Sequence, residues 1–298
     1  EVINNVLIAL LSNGHLLLEG LPGLGKTILV RTLSDIMDLK YSRIQFTPDL
    51  MPADIIGTNI LMEENGRRYF EFQEGPLFAH IILADEINRA TPKTQSALLE
   101  SMQERSITVA GKTRNLEKPF FVLATQNPIE MEGTYPLPEA QIDRFFFKID
   151  VNYPDFEELK EILKRTTIEE MPEADTVLEG EELLDLQKMV KNMPVSTEVL
   201  EYAIKIVMSS QPDEEYSLEE VKNYVNYGSS PRGAQALILA GKARAFMEGK
   251  YNVSFEDIRR VAYPALRHRI LLSFEGEASE LNINNLIEKI IQNTSEFN

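Results

Sequence analysis

The chain has 298 residues, 26% charged and 43% hydrophobic, and a formal net charge of -17 from 30 Lys plus Arg against 47 Asp plus Glu. That balance excludes a generally basic nucleic-acid-binding surface and a polybasic membrane-surface protein, and the absence of cysteine excludes disulfides, thiolate metal sites and cysteine nucleophiles. The longest apolar run, Val6 to Leu11, has six residues, far short of the ~18 a membrane helix needs.

The chain opens at Glu1, without Met, directly in a helical pattern, so the expectation is a fragment of a longer protein. His15 to Gly20 reads as a buried strand, followed by a Gly-rich turn and a helix from Lys26 to about Met37. Ser42–Phe46, Ile81–Ala84, Phe120–Thr125 and Phe145–Ile149 read as four more strands. The runs at 81–84 and 120–124 do not alternate, which predicts a parallel sheet covered on both faces. Two insertions read as hairpins: Asn59–Phe72 around Asn65-Gly66, and Ser106–Leu116 turning near Gly111. From Asp155 onward the patterns are helical throughout. Asp155 with Glu158 and Ser217 with Glu220 fit capping boxes, and Ser196, Ser230 and Ser254 fit N-caps. The predicted organisation is an α/β core over residues 1–152 and a small all-helical domain over 153–298.

Gly20-Leu21-Pro22-Gly23-Leu24-Gly25-Lys26-Thr27 fits G-x-x-x-x-G-K-[ST] between a predicted strand and a predicted helix. Glycines there let backbone N–H groups turn inward around phosphate oxygens at a helix N-terminus. Lys26 suits the β- and γ-phosphates and the Thr27 hydroxyl a magnesium ion, with Ile28 next in the helix. The end of the 81–84 strand, Asp85-Glu86, supplies two carboxylates with separate tasks. Asp85 is read as holding the magnesium shell and Glu86 as polarising an attacking water, which points to hydrolysis. Asn127, after the 120–125 strand, is placed to bond the γ-phosphate or orient the water. Arg144 stands at the entry to the last strand. Arg232 follows Ser230-Pro231, where a guanidinium and a helix N-terminus can face one anion. His15, His80 and His268 are too scattered for a shared metal site.

These elements, in this order and with both hairpins, resemble the AAA+ ATPases and, within them, the MoxR family. The stretches that carry the resemblance are Glu19–Thr27, Asp85–Glu104, Leu137–Phe145 and Leu266-Arg267-His268-Arg269. The resemblance implies Walker A at Lys26 and Thr27, Walker B at Asp85 and Glu86, and sensor 1 at Asn127. It further implies a finger at Arg144 reaching the neighbouring subunit's nucleotide and a lid sensor 2 at Arg232. It implies ATP and magnesium, a hexameric ring, the cytoplasm, a protein client, a partner with a von Willebrand factor A domain, and a segment before Glu1 that helps form the adenine pocket. The expected function is therefore ATP-driven, chaperone-like remodelling. The alternatives are a nucleic-acid motor, which would use Arg67, Arg68, Lys112 and Arg114 on the hairpins, and a magnesium-chelatase-like subunit; the net charge disfavours the first.

Overall fold

A computed structural model of the chain describes residues 1–128, 133–167 and 174–295. It divides into two compact units, one made of residues 17–137 and 150–184, the other of residues 1–16, 138–149 and 185–298. The core sheet has five strands: β1 (Leu16–Gly20), β2 (Tyr41–Gln45), β5 (Ile81–Asp85), β8 (Phe121–Gln126) and β9 (Phe147–Val151), in the order β2-β5-β8-β1-β9. The pairings of β2 with β5 and of β5 with β8 are parallel. Leu16–Leu18, Ile81–Ala84 and Phe121–Ala124 are almost wholly buried, as non-alternating strands covered on both faces must be. The C-terminal ends of β1, β5 and β8 feed the phosphate turn, the acidic pair and Asn127 respectively, the usual edge for ligands in an open α/β sheet.

In the first unit, α2 (Lys26–Asp35) follows the turn, and α3 (Pro52–Ile56) precedes a hairpin of β3 (Gly57–Glu64) and β4 (Arg67–Glu74). Its two-residue turn places Asn65 at φ 51° and Gly66 at φ 76°, both left-handed, as the Asn-Gly signal demands. After β5 come a 3-10 turn (Ile87–Arg89) and α4 (Pro92–Glu104), then the second hairpin of β6 (Ser106–Val109) and β7 (Lys112–Asn115). Arg114 lies over the Phe72 ring at 3.7 Å, so a cation–π contact pins one hairpin against the other. In α6 (Phe156–Thr166) the Asp155–Glu158 capping box forms as predicted.

The second unit holds α1 (Val2–Leu11), α5 (Glu139–Ile142) and most of the C-terminal helices. Among these α8 (Thr197–Met208), α10 (Pro231–Met247), α11 (Phe255–Leu266) and α13 (Ile283–Asn293) carry the apolar core, with Leu237, Ala240, Ile258, Val261 and Ile287 buried. Gly241 lets α10 and α11 close up, because a Cβ there would stand 2.8 Å from Ile258. Ser196, Ser230 and Ser254 each cap their helices as predicted.

Three local expectations differ. The C-terminal region is not wholly helical, since β10 (Val225–Tyr227) and β11 (Leu271–Leu272) form a short antiparallel ladder. Ser217 does not cap α9 (Glu219–Tyr224): it is buried and its hydroxyl donates to the Gln211 carbonyl at 2.7 Å, so Leu218 takes the N-cap position without a side-chain bond. The last core strand begins at Phe147 rather than Phe145. The carbonyls of Asp143, Phe145 and Phe146 are taken by Arg269, while the Phe146 amide donates to the His15 carbonyl at 2.7 Å.

Candidate functional site

The first unit carries a cleft of about 360 Å³ between the turn after β1 and the ends of β5 and β8. Its walls bring together Pro22, Gly23, Gly25, Lys26, Thr27 and Ile28 with Asp85, Glu86 and Asn127, residues spread over a hundred positions of sequence. Gly23 and Gly25 sit at φ 83° and 76° with open space where a Cβ would stand, so the turn needs glycine for its backbone and not for packing. Gly20 differs: a Cβ there would come within 2.6 Å of the Val151 carbonyl, so its role is close backbone approach. Leu24 is half-buried, and neither it nor Gly20 lines the cleft.

Among the described residues no side chain caps the start of α2, whose N-cap is Gly25. The first-turn amides of a helix have no intrahelical acceptor, so this terminus presents N–H donors to an anion. Lys26 points back over the turn, its ammonium donating to the Gly20 carbonyl at 2.7 Å. Burial lowers its pKa from the ordinary lysine value, against the opposing pull of Asp85 and Glu86.

The two carboxylates at the end of β5 are held from several sides. The buried Thr125 hydroxyl accepts the Glu86 amide at 2.8 Å and donates to Asp85 Oδ1 at 2.7 Å. Arg43 donates to Asp85 Oδ2 at 2.7 Å and to Gln45 Oε1 at 2.9 Å, while Gln45 Nε2 donates to Glu86 Oε2 at 2.7 Å. Arg89 pairs with the same Glu86 oxygen at 2.9 Å. Glu86 itself sits at φ 57°, ψ 50°, a left-handed conformation that costs a non-glycine residue about 1–3 kcal/mol and persists only where its surroundings hold it. The loop after it is braced by two buried amides. Asn88 Nδ2 reaches the Asn127 carbonyl at 3.4 Å, and Gln95 donates to the carbonyls of Ile87, Ala90 and Tyr135.

The donor set fits a magnesium nucleotide. No cluster of three or more His, Cys, Asp and Glu side chains exists among the described residues, so they hold no all-protein cage for a metal. What the cleft offers is a pair of carboxylates, a threonine hydroxyl and room for phosphate oxygens, the sparse oxygen set that magnesium accepts. Two larger surface grooves of about 530 Å³ lie on the second unit, lined by side chains already paired, such as Arg260 with Glu256 and Lys289 with Glu220. Neither offers a phosphate-binding turn.

Arg144 and Arg232 belong to the second unit. Arg144 is half-buried, and its guanidinium makes no ion pair or hydrogen bond among the described residues. Arg232 donates to Asp143 Oδ2 at 3.0 Å, so its guanidinium has a carboxylate partner and does not stand open at the start of α10. Asp143 also accepts from the Ser230 hydroxyl at 3.0 Å and from Arg269 Nε at 2.9 Å. Arg269 is nearly inaccessible, and burial, opposed by Asp143, brings its pKa down to about 10. His268 Nε2 donates to the Phe145 carbonyl at 3.0 Å; burial, followed by the charge of Arg269, pushes its pKa well down. The 266–269 signature is thus a structural clamp on residues 143–146. Thr125, Arg43 and Gln45 touch the carboxylates, yet no sequence motif had singled them out.

Residues 15–147 match the model of the ATPase family associated with various cellular activities (AAA), and residues 218–290 match that of the AAA lid domain. The chain is 44% identical to the Chaperone MoxR1 of Mycobacterium tuberculosis, over 98% of its own length and 77% of that protein's. It is 31% identical to the Protein MoxR of Paracoccus denitrificans, over 92% of its length and 84% of that protein's. A crystal structure of a protein assigned as an ATPase from Cytophaga hutchinsonii superposes with a TM-score of 0.92 at 44% identity, covering 99% of this chain and 89% of that one.

Proposed function

The chain belongs to the MoxR family of AAA+ ATPases, and from that premise we propose that it hydrolyses magnesium ATP in a hexameric ring to remodel or assemble protein complexes. The observation that carries the reading is the single cleft holding Lys26, Thr27, Asp85, Glu86 and Asn127. In this reading the amides at the start of α2 and Lys26 bind the phosphates. Thr27 and Asp85 hold magnesium, which when bound neutralises charge on the phosphate oxygens. Glu86 takes the proton from water, and Asn127 orients that water. Glu86 is already aimed by Gln45 and Arg89, and its backbone is fixed by Thr125.

Arg144 is assigned to a neighbouring subunit's nucleotide, since it has no partner of its own among the described residues. Arg232 is assigned as the lid's contact to the subunit's own nucleotide, which requires it to exchange Asp143 for phosphate. The functional division proposed is a core over residues 1–152 and a lid over 153–298, supported by the separate family matches at 15–147 and 218–290. A protein client suits the first hairpin better than a nucleic acid does. Leu61 faces Phe70 and Met62 faces Tyr69, with Phe70 73% and Leu61 56% exposed. Of the hairpin cations, Arg68 is paired with Glu63 at 2.9 Å and Arg114 is stacked on Phe72. A von Willebrand factor A domain partner and a cytoplasmic location complete the proposal on the strength of the family resemblance. No helix among the described residues is long and apolar enough to cross a membrane.

The test is steady-state ATP turnover against protein concentration, for wild type and Glu86→Gln. A specific rate that climbs with concentration and vanishes in the variant supports shared sites between subunits. A rate independent of concentration under conditions where sizing shows monomer, or full turnover by the variant, refutes the assignment.

A further inference from the structure

Asp85 has no idle oxygen. Its Oδ1 receives the Thr125 hydroxyl, a buried partner fixed in β8, and its Oδ2 receives Arg43 from the edge strand β2 at 2.7 Å. The two partners are unlike in mobility. Thr125 is 1% exposed, whereas the Arg43 side chain is 47% exposed and lies along the open wall of the cleft. The parallel register sets the contact: Gln45 is level with Asp85 and Arg43 with Leu83, so Arg43 and Gln45 share the strand face that abuts the acidic pair. Lys26, the other cation of the cleft, is turned to the Gly20 carbonyl, so the ion partner that Asp85 has here is Arg43.

A divalent cation shared by Thr27 and Asp85 needs a carboxylate oxygen facing the cleft, and Arg43 holds the one that is exchangeable. When it lets go, its guanidinium borders the same space as Gly23, Gly25 and the start of α2, the part of the cleft built for anions. Resting on the nucleotide-binding reading above, we propose that Arg43 is an exchangeable counter-ion. It neutralises Asp85 in the arrangement observed, and would pass to the terminal phosphate of ATP where Asp85 serves a divalent cation instead. A guanidinium is suited to both partners, because its planar fork matches carboxylate and phosphate alike. Arg43 thereby becomes a positioning residue that distinguishes a triphosphate from a diphosphate. A bound diphosphate leaves it without a phosphate partner and favours its return to Asp85.

The proposal is tested by equilibrium binding of fluorescent ADP and ATP analogues in a Glu86→Gln background, which stops turnover, with Arg43 intact, Arg43→Gln and Arg43→Lys. The first readout is the magnesium concentration that half-maximally tightens ADP binding; without the competing guanidinium in Arg43→Gln, it falls by about fivefold or more. The second is the ratio of ATP to ADP affinity at saturating magnesium; loss of a charge-assisted bond to the terminal phosphate lowers it by about tenfold. Arg43→Lys keeps the charge without the fork and restores part of both. An unchanged magnesium midpoint or an unchanged ATP-to-ADP ratio in Arg43→Gln overturns the proposal, provided that the Arg43-intact protein binds nucleotide. If that protein binds neither nucleotide, the nucleotide-binding reading itself fails and takes this inference with it.

Discussion

Thr125→Val is the most exacting perturbation of the site, because it keeps the shape of the side chain and removes one oxygen. That oxygen holds both carboxylate residues: it accepts the Glu86 amide at 2.8 Å and donates to Asp85 Oδ1 at 2.7 Å. With the hydroxyl gone, the Glu86 N–H loses a buried acceptor, a cost of about 1–3 kcal/mol. The Asp85 oxygen loses a charge-assisted donor worth about 1.5–3 kcal/mol. Asp85 keeps 16% of its side chain exposed, so water recovers part of the second term. The added methyl in an apolar strand returns about 0.8 kcal/mol. The expected loss is about 2–4 kcal/mol of stability, read from the urea midpoint at an unchanged denaturant slope. Function is the sharper readout. Glu86 depends on this hydroxyl to hold its left-handed backbone, so the variant should lose turnover by about tenfold or more while KM moves little. Thr125→Ser, which keeps the hydroxyl, should recover most of both. A Thr125→Val protein within about 0.5 kcal/mol of wild type, and with the same turnover, would refute the reasoning.

Three further outcomes are expected. Lys26→Met should abolish binding of a fluorescent nucleotide while leaving the fold unchanged by circular dichroism, because the ammonium sits over the phosphate turn and supports no other element among the described residues. Arg144→Ala and Glu86→Gln should each be inactive alone, yet mixing them should restore turnover, since the Arg144 of one subunit can then serve a neighbour's intact Glu86; no recovery in mixed rings would contradict the assignment in trans. His268 makes stability depend on acid. Burial holds its folded pKa below the unfolded value of about 6.5. Between those two values the unfolded chain binds a proton that the folded chain refuses, so the contribution of His268 to stability falls as pH drops below about 6.5, by at most about 1.4 kcal/mol per pH unit, and is constant above it. His268→Gln should make the slope between about pH 6.5 and 5 shallower than in wild type, in urea titrations at several pH values.

The phosphate turn was legible because its chemistry lies in consecutive residues. Gly23, Gly25, Lys26 and Thr27 carry their own geometry, and a strand before and a helix after complete the signal. The pairs Asn65-Gly66 and Asp155–Glu158 were readable for the same reason: each is a local motif that decides backbone conformation within four residues. What escaped depends on register. Arg43 meets Asp85 only because β2 and β5 are parallel neighbours with Gln45 level with Asp85, and nothing in the sequence separation of 42 between Arg43 and Asp85 encodes that alignment. Thr125 reads as an ordinary β-branched strand residue until β8 is laid beside β5. The start of the last strand was misplaced by two residues because Phe145-Phe146-Phe147 is uniformly apolar, while the bonds to the Phe145 and Phe146 carbonyls come from Arg269, more than a hundred positions away. Ser217 had the right spacing for a capping box and lost it to a carbonyl that only folding brings near.

The same long-range bonds give Arg144 and Arg232 different standing. Around residues 143–146 almost every polar group is engaged. Asp143 accepts from Ser230, Arg232 and Arg269, and the carbonyls of Phe145 and Phe146 accept from His268 and Arg269. A segment clamped in this way can hold a side chain in a fixed direction, and Arg144 is the side chain it leaves without an ion partner among the described residues. In the role in trans proposed for it, a guanidinium on a rigid base that surrenders no partner among the described residues is preorganised for developing negative charge, and the cost of positioning it is met during folding rather than at the reaction. Arg232 is the opposite case. It must give up Asp143 before it can serve an anion, and Asp143 can tolerate that because Arg269 and Ser230 stay in place. Loss of Arg144 should therefore strike turnover and spare nucleotide affinity. Loss of Arg232 should weaken nucleotide affinity by less than a free arginine would, because part of its binding energy is offset by the pair it breaks. If Arg232→Ala instead tightened nucleotide binding, the exchange between Asp143 and phosphate would be wrong and Arg232 would be a structural partner of Asp143.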